Sequence, residues 1–147
     1  MESWQHIKDT VYFEDGSLRE IYVYNTNQTD WLKWVAFVNR TYKVLFYNGS
    51  TDRYEDKINP DVIISFWQTI PDWHCDATIY LRDVLVKTYF FSPEEIENDI
   101  DPKEVKSLDD HQAIVSYLYA VADTLQKPIY FTEEWSRDRL VWSVIKP

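Results

Sequence analysis

Ser92 to Asp110 reads SPEEIENDIDPKEVKSLDD, and the fold turns on what this stretch becomes. Two start signals of the same kind lie in it. Ser92-Pro93-Glu94-Glu95 offers a capping serine, a proline at the first helical position and a glutamate at the third. Asp101-Pro102 then limits any helix to a turn or two. Ser107-Leu108-Asp109-Asp110 is a second capping box, and here an apolar stripe comes after it. Ile114, Leu118, Val121 and Leu125 recur at helical spacing, with Ala113, Tyr117 and Ala122 beside them. The pattern predicts the longest helix of the chain at about residues 108–126, ended by Lys127-Pro128. Between the two signals the chain is expected to be a short helical start and a solvated connection.

The rest of the chain arranges itself around that helix. Thr10–Glu14 and Leu18–Tyr24 are β-prone runs separated by Asp15-Gly16, so a hairpin is expected. In the second run Leu18, Glu20, Tyr22 and Tyr24 share one face, and Arg19, Ile21 and Val23 the other, which points to cover on both sides. Asn27 with Asp30 forms a capping box. Trp31, Trp34, Val35 and Val38 form the stripe of the helix behind it. Tyr42–Tyr47 reads as a strand, residues 50–58 as a polar loop, and Asn59-Pro60 as the start of a short helix carrying Val62, Ile63, Phe66 and Trp67. Ala77–Leu81 and Val84–Phe91 are strands around Arg82-Asp83. Pro128–Thr132 and Leu140–Ile145 are the last two. Several neighbouring strands lack helices between them, so an alternating doubly wound sheet is excluded. The expected fold is α+β: one two-layer domain over residues 1–147, with a mixed, mainly antiparallel sheet of five to seven strands backed by two main helices.

Composition narrows the function. Of 147 residues, 25 are acidic and 15 basic, for a net charge of −10. The stretch 92–110 alone holds eight carboxylates and two lysines. Such a field repels nucleic acid and anionic membrane and attracts a basic protein. Aromatic residues make up 17% of the chain; most are expected in the core and some at a contact surface. The two glycines exclude a glycine-rich phosphate loop, and a lone cysteine excludes an internal disulfide. No apolar run approaches the ~20 residues of a membrane span. The opening MESWQHIKD lacks the basic and apolar regions of a signal peptide, so a cytoplasmic location is expected.

No catalytic set assembles from the sequence. His74 and Cys75 are neighbours and would point to opposite faces of a strand. Asp109, Asp110 and His111, or Asp99 with Asp101, lack the count and spacing of a metal site, and His111 reads as solvated. Neither a cofactor nor a metal is expected. Glu133, Glu134 and the earlier acids leave open an alternative, a small hydrolase using carboxylates in an aromatic pocket. A second alternative is a domain with no strong partner, its acids only solvating it. The leading reading is a non-catalytic face for a basic protein, made by Tyr89, Phe91, Glu94, Glu95, Glu97, Asp99 and Asp101, where acids steer and rings anchor. Whether the chain forms a homodimer is left open.

Three segments carry a resemblance: REIYVYNTNQTDWLKWVAFV at 19–38, YFFSPEEIENDIDPKEV at 89–105 and KPIYF at 127–131. In their order of strand, helix and acidic motif they resemble a small, poorly characterised bacterial family akin to the immunity proteins of polymorphic toxin systems. The resemblance implies a single domain of helices and strands that binds and neutralises a toxin-like partner. It carries over no active-site residue.

Overall fold

The computed structural model describes residues 3–134 and 136–144. In chain order the elements are α1 (Trp4–Thr10), β1 (Arg19–Tyr24), α2 (Gln28–Thr41), β2 (Lys43–Asn48), β3 (Arg53–Glu55), α3 (Pro60–Thr69), β4 (Asp76–Leu81), β5 (Val84–Thr88), β6 (Glu95–Ile100), α4 (Leu108–Leu125), β7 (Ile129–Glu133) and β8 (Ser136–Val144). A 3-10 turn, Pro102–Glu104, links β6 to α4. The strands form one sheet in the order β3-β2-β4-β5-β6-β1-β7-β8. Every described pairing is antiparallel. The architecture is the expected α+β one, with eight strands where five to seven were expected. Ile145, the end of the expected final strand, lies outside the described residues.

Alternation builds the core. β2, β4 and β6 bury every second residue, and those residues face the helices: Val44 and Phe46, Ala77 and Ile79, Ile96 and Ile100. Both main helices cover this same face. The Trp34 indole of α2 donates to the Tyr117 hydroxyl of α4 at 3.1 Å. That hydroxyl donates in turn to the Asn98 side-chain carbonyl of β6. An indole, a phenol and an amide therefore satisfy one another inside the apolar layer, where an unpaired polar group would be costly. Asn27 and Asp30 make the reciprocal capping box at the start of α2. Asn59 caps α3, with Pro60 in its first turn.

Four expectations are corrected. The Thr10–Glu14 hairpin strand does not form: Thr10 ends α1, and the next residues wrap around a buried side chain. The Arg19 guanidinium donates to the carbonyls of Val11 and Phe13, each at 2.8 Å, and to the Ser17 hydroxyl and the Leu18 carbonyl. With these carbonyls turned to a buried cation, residues 11–13 join no strand among the described residues. Ser92–Glu95 starts no helix; it leads into β6, a strand between β5 and β1. Within the polar run 50–58, Arg53–Glu55 pairs with β2 as an edge strand. His111 is buried, its Nδ1 hydrogen-bonded to the Tyr12 hydroxyl at 2.7 Å.

Candidate binding face

Among the described residues no helix is laid over the other face of β6, β1 and β7, although Glu20 and Tyr22 on it are buried. Two-residue alternation sends Glu95, Glu97 and Asp99 to it. The register sets Tyr24 opposite Glu95, Tyr22 opposite Glu97 and Glu20 opposite Asp99. On the next strand Tyr130 stands opposite Tyr22. The rings make a short aromatic floor: Tyr22 and Tyr24 stack at 5.4 Å between centroids, and Tyr24 meets Tyr130 at 5.5 Å.

Carboxylates converge beside that floor. One oxygen each from Glu20, Glu97 and Asp99 lies within 4.8 Å of the others, and Glu20 is only 3% exposed. Burial, then the hydrogen bond with Glu20 and the charges of Glu20, Asp99 and Glu95, push the Glu97 carboxyl up to about 8. Burial and the neighbouring Glu20 and Glu134 push Asp99 up to about 6. Like charges at this distance favour keeping a proton among them. By donor type and spacing these three residues are the described group that could hold a hard cation.

One end of the face is a ridge, residues 89–95, gripped from beneath. The Trp67 indole donates to the Phe90 carbonyl at 2.8 Å and the Trp31 indole to the Ser92 carbonyl at 3.1 Å. The Thr26 hydroxyl donates to the Pro93 carbonyl at 2.8 Å, and its backbone N–H to the Glu94 carbonyl at 3.0 Å. Phe90 takes a left-handed conformation, φ 57°, and plugs the core against Trp31, Trp34 and Phe46. With Phe90 turned inward, Tyr89 and Phe91 turn outward and stack on each other at 5.6 Å. Two of the seven tryptophans thus serve to fix this ridge, a role that composition does not reveal.

The seven residues expected from the sequence fall into four places. Tyr89 and Phe91 crown the ridge, and Glu94 and Glu95 line an open cleft of about 810 Å³ with Tyr24, Asn25, Thr26 and Ser92. Glu97 and Asp99 belong to the carboxylate group on the sheet. Asp101 caps the 3-10 turn by accepting the Lys103 N–H, and it shares a smaller cleft of about 190 Å³ with Tyr89, Lys87 and Asp99. Glu20, Tyr22, Tyr24 and Tyr130 escaped the sequence reading. The shared face of Glu20, Tyr22 and Tyr24 was legible; that β6 pairs beside it was not.

The other candidates have structural roles. Cys75 is buried and its thiol is pushed up to about 12, by burial and then by Asp76, which disfavours the nucleophilic thiolate. His74 projects outward instead, its side chain 71% exposed. Asp110 accepts from the Lys106 N–H and from Arg82 at the start of α4. Glu134 accepts the Leu18 N–H at 2.8 Å.

No protein-family model matches the chain, and no curated protein does. Among solved structures, a similar chain occurs in the 1.75 Å crystal structure of the toxic C-terminal tip of CdiA from Pseudomonas aeruginosa in complex with an immune protein. The match has a TM-score of 0.54 and covers 89% of this chain and 97% of that one, at 9% identity. What the two chains share at that identity is the fold.

Proposed function

We propose that this domain is a non-catalytic binding protein of the immunity type, which engages and neutralises a basic, toxin-like partner in the bacterial cytoplasm. The observation that carries the reading is the ridge at 89–95, held rigid by two indoles and Thr26 and continuous with an acidic sheet face. A surface fixed before binding loses little conformational entropy on association. Its acids supply steering, and its outward rings supply desolvated contact. The fold likeness to a chain from a toxin–immune protein complex supports the same reading.

The hydrolase alternative has one observation in its favour, the raised carboxyls of Glu97 and Asp99, since such splitting is how acid and base roles are divided. Substrate space argues against it. The cleft that Glu97 lines with Trp31, Thr88 and Phe90 has a volume of about 20 Å³ and the one that Asp99 lines about 190 Å³, both short of the roughly 300–1,000 Å³ of small-molecule sites.

The test replaces Glu94, Glu95 and Glu97 with Gln and Asp99 with Asn together. A partner captured from the native cell is then titrated against the wild-type and quadruple-variant domains. The variant should fold and associate on the order of 10-fold more slowly at low salt. The difference should shrink as salt screens exposed charge over about 8–10 Å. Equal rates for a partner that the wild type neutralises would remove this face from the interaction. Reproducible turnover in a hydrolase screen, lost with Glu97→Gln, would replace the reading with the enzymatic one.

A further inference from the structure

The ridge has a second side. Ile70 closes α3 in the left-handed region, φ 45° and ψ 60°, and is 85% exposed. That conformation at a helix end suits glycine or asparagine, and a β-branched side chain there is an outlier. The capping bond from the Ile70 N–H to the Phe66 carbonyl is a backbone bond that glycine would make equally well. Isoleucine therefore brings backbone strain and an exposed apolar side chain, with no compensating burial in the domain. Strain held at an exposed position points toward function. Beside it runs a cleft of about 370 Å³ lined by Phe66, Trp67, Ile70, Pro71, Phe91 and the Ser92-Pro93 step. Phe91 is 71% exposed.

Ser92 also lines the acidic cleft that holds Glu94 and Glu95. The two clefts are thus the two flanks of one ridge, apolar on the Ile70 side and acidic on the Glu94 side. Successive side chains of an extended segment point to opposite sides, so a strand laid along the ridge would offer neighbouring residues to opposite flanks. The acidic flank selects a cationic segment. It disfavours an anionic membrane and a second copy of this chain, which has a net charge of −10.

We infer that the ridge takes a basic segment of a partner protein in which a large apolar side chain stands beside a lysine or arginine, the apolar group seating against Ile70 and Phe91. The inference rests on the binding-face reading and adds the chemistry of what that face recognises.

Three synthetic peptides of equal length test it: alternating lysine and phenylalanine, alternating lysine and serine, and alternating serine and phenylalanine. Each is titrated against the wild-type domain, Ile70→Gly, Phe91→Ser and the double variant Glu94→Gln/Glu95→Gln. The lysine–phenylalanine peptide should bind about tenfold more tightly than the lysine–serine one, the scale of burying one large apolar side chain. Ile70→Gly and Phe91→Ser should each erase most of that preference, while Ile70→Gly melts no lower than wild type. The glutamate variant should weaken both lysine peptides. Equal affinity of the two lysine peptides, or a preference that survives both apolar substitutions, overturns the inference and leaves the acidic face standing. Lysine peptides indifferent to the glutamate variant, or failure of all three to bind at about 1 mM, would sink the binding-face reading as well. Self-association that Ile70→Gly abolishes would assign the apolar flank to a second copy instead.

Discussion

Ser92 and Ser107 open two segments with nearly the same local chemistry and opposite outcomes. Each hydroxyl accepts a backbone N–H just ahead of it, Glu94 at 3.1 Å and Asp110 at 3.2 Å. Beyond Ser107 the apolar residues return every third or fourth position, and α4 buries Ile114, Leu118, Val121 and Leu125. Beyond Ser92 the buried residues are Ile96, Asn98 and Ile100, every second position. A capping signal therefore marks where the chain is reset, and the hydrophobic period behind it decides between helix and strand. The acids at Glu95, Glu97 and Asp99 disguise the strand because they fill the exposed half of the alternation.

The largest effects should come from the two buried stripes. Leu118→Ala in α4 and Ile96→Ala in β6 should each lower unfolding free energy by roughly 2–5 kcal/mol, because both side chains are almost fully buried. Urea denaturation measures both. If the stretch after Ser92 were a solvated connection, Ile96→Ala would be nearly silent, and the comparison would collapse.

Next comes the polar link between the two segments. Tyr117→Phe deletes the hydroxyl that serves both Trp34 and Asn98, leaving a buried donor and a buried acceptor without it. A loss of about 1–3 kcal/mol is expected. Asn98→Ala combined with Tyr117→Phe should cost less than the sum of the single changes, which a double-mutant cycle would register.

The serines themselves sharpen the contrast at smaller scale. Ser107→Ala removes a helix cap and should cost about 1 kcal/mol. Ser92→Ala loses a bond at an exposed turn and should stay within about 0.5 kcal/mol. Equal losses at the two sites would mean that Ser92 caps as strongly as Ser107, leaving the periods behind them to carry the whole difference.

The remaining contrast is a pH dependence. The Glu97 carboxyl rises from 4.5 to about 8 on folding, so between those values the folded state binds more protons than the unfolded one. Stability from this group is fully present below about pH 4.5 and is lost as pH rises through about 8. Asp99 acts in the same direction between 3.8 and about 6. Thermal melts should therefore fall with rising pH across this window. Glu97→Gln should flatten the fall and melt above wild type at the alkaline end. A variant with the wild-type slope would show that Glu97 does not hold the proton.

Much of the helical layer could be read directly. Asn27 with Asp30, Asn59 with Pro60, and Ser107 with the stripe behind it are short-range signals, and each helix starts where its cap stands. The pairs around Asn48-Gly49 and Arg82-Asp83 bounded strands for the same reason. The N-terminal hairpin misled because Thr10–Glu14 has the composition of a strand. Its carbonyls instead answer to Arg19, a buried cation whose demand no local pattern reveals. At the candidate face, the residue types at Tyr89, Phe91 and the β6 acids were legible, and so was the shared face of Glu20, Tyr22 and Tyr24.

By itself, then, the sequence determined the starts of α2, α3 and α4, most strand segments, the sign of the charge and the α+β class. These depend on contacts between residues a few positions apart. Tertiary structure alone decided that β6 inserts between β5 and β1, that its acids meet Glu20, and that two tryptophans hold the 89–95 ridge. It also decided that burial and the neighbouring acids raise the Glu97 carboxyl. Each of these depends on which distant segments become neighbours: charge repulsion, burial and indole hydrogen bonds act through space, and spacing along the chain does not encode them.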